Sequence, residues 1–307
     1  MIASAAHIFV SVLLPVLVIA GMGALIHRWQ QFDLRSLVSI NLYLFVPVFL
    51  FRAVSTSTMP WSEVGLIGVV VLTPMAVLGI VMTFVLRRFG YDHSAIASMV
   101  VGSLFFNAAN FGIPVAILAF GEEGGRTQAL IVMFMNLTVF LVGYTVLAIG
   151  QGRGARGALG FFKLPFLYVV ILAIIQRETA IRLPAWLDDC IRIIAQGLVP
   201  VALVTLGAQL SAQGRWPCWS RVGPVMIIKL MVLPAVTAVT VWLLGLWPQP
   251  GAQLILASAG PTAINTLLLA VEVEGDAETA AESVFWTTLG SALTVAIILA
   301  ILRGLGA

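Results

Sequence analysis

The sequence predicts an all-α membrane protein of ten transmembrane helices, arranged as two inverted five-helix repeats whose fourth and ninth helices are broken and cross. Three observations predict it: the composition, the length of the apolar runs, and landmarks that recur half a chain apart. Of 307 residues, 61% are hydrophobic and 9% charged, and the mean hydropathy is +1.08. A soluble domain carries about 25% charged residues, and a water-soluble fold of this size could not hide so much apolar surface. In lipid every backbone polar group must be paired internally, which leaves helices or closed barrels. A barrel would show segments of about ten residues with alternating polarity. The long unbroken apolar runs here point to helices.

A span needs about 20 apolar residues. Charges and Gly/Pro clusters place helix one over Ala5 to Ile26, two over Ser36 to Phe51, three over Val64 to Leu86, four over Ser94 to Phe120 and five over Thr127 to Gly150. The basic, glycine-rich stretch Gln151 to Gly157 joins the halves. Helix six follows over Ala158 to Ile175, seven over Ile193 to Ala212, eight over Val222 to Leu246, nine over Ala252 to Val271 and ten over Ala280 to Leu302. Leu246-Trp-Pro-Gln-Pro-Gly251 is a turn by its proline and glycine content. The N-terminal run lacks a basic n-region and is long enough to span, so it is read as helix one rather than a cleaved signal. The repeats are residues 1–157 and 158–307.

Loops after helices one, three, five and seven hold Arg28, Arg35, Arg87, Arg88, Arg153, Arg156, Lys163, Arg215 and Arg221. The remaining loops and the C-terminal tail hold fewer: Arg52, Arg126, Arg177, Arg182, Arg192 and Arg303. The positive-inside rule puts the first set in the cytoplasm and both termini outside. The net charge of +3 gives no reason to expect a nucleic-acid partner. Cys190 and Cys218 lack metal or redox spacing and read as small apolar fillers.

The repeat rests on four ordered matches. Pro47 pairs with Pro200, Trp61 with Trp216, Pro74 with Pro234 and Pro114 with Pro261, each separated by close to half of the 307 residues. Five spans per half is an odd number, so the second half enters the membrane inverted, as in secondary transporters.

Helix four reads Phe106-Asn-Ala-Ala-Asn-Phe-Gly-Ile-Pro-Val115. Pro114 removes a helix hydrogen bond and clashes with the carbonyl of Asn110, and Gly112 permits non-helical angles. Asn107 and Asn110 are placed to satisfy the freed groups or to face a solute. Helix nine repeats the device as Ala259-Gly-Pro-Thr-Ala-Ile-Asn265, with Gly260 and Pro261 as the break and Thr262 and Asn265 as the polar groups. Two oppositely directed half-helix N-termini near the midplane would suit a carboxylate. The bland alternative is a pair of proline kinks whose asparagines satisfy the backbone.

Lys229 is the only basic residue well inside a span. Either it snorkels to the headgroups or it is a fixed charge for an anion or for freed carbonyls. Asn41, Asn136, Thr205 and Gln209 read first as interhelical hydrogen-bond residues. Asn41 and Gln209 lie on the repeat-related helices two and seven and are also candidate cavity residues. No Asp or Glu lies centrally in a span, as Glu63, Asp92 and Glu282 all sit at span ends. That favours facilitated or potential-driven movement, or an amide-lined ion site, and leaves Na+ or H+ coupling open; no other cofactor is expected. His7, His27 and His93 are also at span ends, and no nucleophile–base pair or metal motif appears, which argues against an enzyme.

These motifs resemble the auxin efflux carrier family in its bacterial form, itself related to the bile-acid, arsenite and riboflavin transporter superfamily. The resemblance is carried by Asn107 with Gly112-Ile-Pro114, Phe120-Gly-Glu-Glu-Gly124, Pro200-Val-Ala-Leu-Val-Thr-Leu-Gly207, Lys229 with Pro234, Pro261-Thr-Ala-Ile-Asn-Thr266, and Thr287-Thr288 with Ser291. It implies the ten-helix fold shared with bile-acid and sodium–proton carriers. Helices one, two, six and seven would form a scaffold domain, and three to five with eight to ten a transport domain. It implies efflux or exchange of a small organic anion, such as malate, malonate or an indole acid. The setting would be the bacterial inner membrane, with lipid around the chain and a homodimer through the scaffold. The alternative is a sodium-coupled symporter on the same fold. The long central loop of some plant members is missing, and Asn265 stands where their second proline motif differs.

Overall fold

The computed structural model describes residues 10, 14–152, 165–179, 181–213 and 216–306. Most of the connector, the start of helix six, the first turns of helix one, and His7, Arg153, Arg156, Lys163 and Arg215 lie outside the described residues. The described chain is helical, with no strand; its one β-like feature is an isolated antiparallel bridge between Phe106 and Thr262. Six described helical stretches are long and apolar enough to cross a membrane: Ser36–Ser55, Trp61–Arg88, Ala108–Gly150, Ala185–Ala212, Trp219–Leu243 and Ala277–Gly304. This is a multi-pass, all-α membrane protein.

In chain order, α1 is Leu14–Gln30, α2 Leu34–Ile40, α3 Val46–Ser55, α4 Trp61–Arg88, α5 His93–Leu104, α6 Ile113–Thr138 and α7 Tyr144–Gly150. They are followed by α8 Pro165–Thr179, α9 Ala185–Gln213, α10 Trp219–Ile227, α11 Leu233–Leu243, α12 Gly251–Ser258, α13 Ile264–Glu272 and α14 Ala277–Gly304. Wide π turns join several of them: Asn41–Phe45, Ala108–Gly112, Val139–Gly143 and Ile228–Val232. Three of the four lead into a helix with proline at its first turn, namely Pro47 in α3, Pro114 in α6 and Pro234 in α11. A proline ring clashes with the carbonyl four residues back and offers no N–H. A π turn moves that carbonyl aside without ending the helix. Pro74 and Pro200 instead sit inside the continuous helices α4 and α9, so paired prolines do different local work.

The 43 residues of Ala108–Gly150 hold about two membrane crossings at 1.5 Å per residue. They are not one rod. Gly121 has φ 71° and ψ −163° inside α6, and the Gln128 side chain reaches the carbonyl of Ala108, 20 positions earlier, at 2.8 Å. A straight helix would hold those positions about 30 Å apart. The chain turns back at Gly121, a conformation that glycine adopts without a Cβ penalty.

Other boundaries move outward. Helix two continues to Ser55 and helix seven begins at Ala185, with Asp188, Asp189 and Arg192 on its first turns. Charged residues stop an apolar run but not a helix, because water at the membrane surface solvates them. The tightest packing is between α1 and α9. A Cβ on Gly207 would lie 1.7 Å from the Ala20 carbonyl oxygen, and one on Gly23 would lie 2.3 Å from that of Val204.

Candidate functional site

The helix four break lies upstream of where the motif suggested. α5 ends at Leu104, Phe105 is extended (φ −86°, ψ 116°), and Asn107 has φ −74° and ψ 72°. Gly112 keeps helical angles, φ −66° and ψ −44°, so conformational freedom is not its role. Its role is space: a Cβ there would fall 2.5 Å from Nε2 of Gln128, the nitrogen that donates to the freed carbonyl of Ala108. The helix nine break spans Ala259 to Ala263, between α12 and α13.

The two breaks cross. Asn107 N–H donates to the Pro261 carbonyl at 2.7 Å, and Ala263 N–H donates to the Phe105 carbonyl at 2.9 Å. The fully buried Thr262 fastens the crossing on both sides. Its hydroxyl donates to the Gly102 carbonyl at 2.6 Å, and its N–H donates to Oγ1 of Thr287 at 3.0 Å. Each break leaves backbone groups that lipid could not satisfy, and each break supplies partners to the other.

A cavity of about 50 Å³ lies at the start of both outgoing half-helices. Its wall includes Asn107, Ala108, Ala109 and Asn110 from one break and Ala263, Ile264 and Asn265 from the other, with Asn41, Met135, Asn136 and Phe106 around them. The asparagines are linked. Asn107 Oδ1 accepts from the Asn110 N–H at 3.1 Å and caps that half-helix, and Asn110 Oδ1 accepts from Asn41 Nδ2 at 2.8 Å. Asn41 Oδ1 is buried with no hydrogen-bond partner. No lining residue is ionisable. The polar part of the wall is therefore amide side chains and the starts of two half-helices, where backbone N–H groups carry partial positive charge.

Of the residues expected at the site, Asn41, Asn107, Asn110 and Asn265 share this cavity. Thr262 and Pro261 form the crossing beneath it. Gly112 and Gly260 line a separate gap of about 10 Å³ beside Gln128 and Gln253. Pro114 sits in the first turn of α6, outside the cavity wall. Gln209 is buried on α9, outside the cavity, with its Oε1 unpartnered. Lys229 is fully buried, which removes the snorkelling alternative. Its ammonium donates to the Ser258 carbonyl at the end of α12, at 3.2 Å, and lies 4.7 Å from the centroid of the Phe106 ring. It meets the negative end of a half-helix dipole and reaches the cavity wall only through Phe106.

Sequence reasoning missed Gln128, and gave Thr287 no part in holding the crossing. Gln128 follows the polar, glycine-rich stretch Gly124-Gly-Arg-Thr127, which reads as a loop end, and Thr287 sits beside Thr288 with nothing in the sequence to say which of the two meets the crossing. Among the described residues, no group of three or more His, Cys, Asp or Glu is placed to hold a metal.

The sequence profile of the family described as "Membrane transport protein" matches residues 158–299. An uncharacterized transporter of Methanocaldococcus jannaschii is 26% identical over 277 residues, covering 86% of this chain and 88% of its own. A putative malonate transporter of Rhizobium meliloti is 26% identical over 208 residues, covering 64% of each. With the apolar helices and the crossed breaks, these matches indicate a membrane transporter rather than an enzyme, one whose second half is similar to the membrane transport protein family.

Proposed function

We propose that the chain is a secondary carrier for a small organic anion, a carboxylate of about malonate's size, moved across a bacterial inner membrane by alternating access. The asparagine-lined cavity between two half-helix N-termini carries this reading. It offers amide donors and acceptors, positive dipole ends and no fixed negative charge, which suits a carboxylate. The cavity is about 50 Å³ in this conformation, room for a few waters, so a dicarboxylate fits only when the walls part. The similar putative malonate transporter makes malonate the first substrate to try.

In this reading the described helices are two inverted five-span repeats, residues 1–157 and 158–307, with both termini outside. Spans one, two, six and seven are the scaffold and the remaining six move. Asn41 on the scaffold then bonds Asn110 on the moving part, so the cavity is shared between them. Uptake of labelled malonate into proteoliposomes is the test. Asn107→Ala and Asn41→Ala should each lower uptake at least tenfold in protein that stays monodisperse. Normal uptake by both would sink the site assignment. The unpaired Asn41 oxygen keeps a sodium-coupled symport reading in play. Uptake unchanged by an imposed sodium gradient removes it.

A further inference from the structure

A second cavity, of about 590 Å³, lies farther along the same helices. Arg52 and Thr56 reach it from the end of α3, Arg192 and Gln196 from α9, and Glu122 and Arg126 from the return of α6 just past Gly121. Three arginines face one carboxylate across a space large enough for a dicarboxylate and its water.

Their other partners are on the rim. Arg192 pairs with Asp189 at 2.6 Å and Arg126 with Glu123 at 3.3 Å. Asp188, Asp189 and Glu123 have side chains 57%, 59% and 59% exposed, and none lines the cavity. A guanidinium has five N–H donors, so one rim contact leaves each arginine donors to spare. Nη1 of Arg52 is buried without a hydrogen bond, and Asp188 is 3.7 Å away from it. A buried, unsatisfied guanidinium nitrogen is costly unless something accepts from it.

The placement matters as much as the charge. Val46 lines the asparagine cavity and Phe49 the arginine cavity, one turn apart on α3. Asn41 and Arg52 are eleven positions apart, about 16 Å along a helix, or half of a hydrocarbon core about 30 Å thick. If the asparagines sit near the midplane, the arginines sit at the membrane surface on the same path.

We infer that the Arg52–Arg126–Arg192 cavity is a second anion subsite, a vestibule that captures small carboxylates at one membrane face before they reach the asparagine cavity. It rests on the carrier reading above. Bidentate arginine–carboxylate pairs supply the affinity, and a positive mouth raises the local anion concentration and the on-rate. In that reading Arg52 and Arg192 belong to the scaffold and Arg126 to the moving part. Rocking the two therefore assembles and disperses the subsite with each cycle.

Protein in lipid nanodiscs is titrated with malonate by calorimetry, with proteoliposome uptake measured in parallel. The triple variant Arg52→Gln, Arg126→Gln, Arg192→Gln should bind malonate at least tenfold more weakly and raise KM by a similar factor, leaving the saturated rate within twofold. Asn107→Ala should lose flux and keep the arginine-dependent binding. Arg52→Lys, which keeps charge but not the fork, should fall between and serve as the folding control. Malonate binding and KM unchanged in the triple variant, or no malonate binding by the unaltered protein, overturns the vestibule. Arginine-dependent binding without flux by the unaltered protein overturns the carrier reading, and with it the vestibule role, while the arginine anion subsite stands.

Discussion

Gly112, Gln128 and the Ala108 carbonyl form a unit in which one missing methyl group decides whether a broken helix end is satisfied. A Cβ at position 112 would push Nε2 of Gln128, 2.5 Å away, off the carbonyl it now meets at 2.8 Å. A buried acceptor left without its donor costs about 1–3 kcal/mol. Gly112→Ala and Gln128→Ala should therefore each lower the thermal midpoint in detergent by several degrees. The double variant should lose less than the sum, because both changes break one interaction. Additive losses would show that Gly112 acts some other way. Lys229 works similarly in reverse, its ammonium closing the Ser258 carbonyl end of α12. The asparagine motif and Lys229 were legible in the sequence as polar residues in an apolar span. Which backbone group each would serve was not, because Ala108 and Gln128, or Ser258 and Lys229, meet only after the chain has folded back.

At the scale of elements, glycine sets how near two helices come and where a long one reverses. α1 and α9 touch backbone to backbone at Gly23 and Gly207, leaving no room for even one carbon beside the Ala20 and Val204 carbonyls. Close approach through small residues is how membrane helices gain packing and weak hydrogen bonds where lipid is as apolar as leucine. Gly207→Val should abolish folded, monodisperse protein in size-exclusion runs. Gly21→Val, on the same helix α1 but with nothing within 4 Å of its would-be Cβ, should behave as the unaltered chain. Equal behaviour of the two would mean that the α1–α9 contact does not hold the fold. Apolar run length marked both helices as spans, yet it could not distinguish Gly21 from Gly23, since both read as small residues in an apolar run. The π turns were partly foreseeable: proline announced a disturbed turn, and whether the helix would widen or continue was left to packing.

At the scale of the whole molecule, the two native cysteines report topology. Both are free and exposed. Cys190 lies near the start of α9 and Cys218 just before α10. The 29 residues of α9 are about 43 Å long, enough to carry the chain across the bilayer. The cysteines should therefore lie on opposite faces. With the larger basic share inside, a membrane-impermeant maleimide added to intact cells should label Cys190 and spare Cys218, with Cys190→Ser and Cys218→Ser assigning the signals. Labelling of Cys218 alone would reverse the orientation, and labelling of both would end the single crossing by α9.

Composition and run length alone determined that this chain lives in a membrane as a set of helices, because lipid leaves a backbone few other ways to pair its polar groups. The order of Asn, Gly and Pro also announced two interruptions, since those residues disturb a helix wherever it is placed. Only the tertiary structure decided that the breaks begin at Phe105 and Ala259, that they trade hydrogen bonds, and that Asn41 joins Asn110 in the interior. It also brought three distant arginines to one cavity. Local sequence sets what a segment must satisfy; which partner satisfies it depends on segments 160 positions apart, as at Gly102 and Thr262, arriving within hydrogen-bond distance, and no spacing rule encodes that meeting.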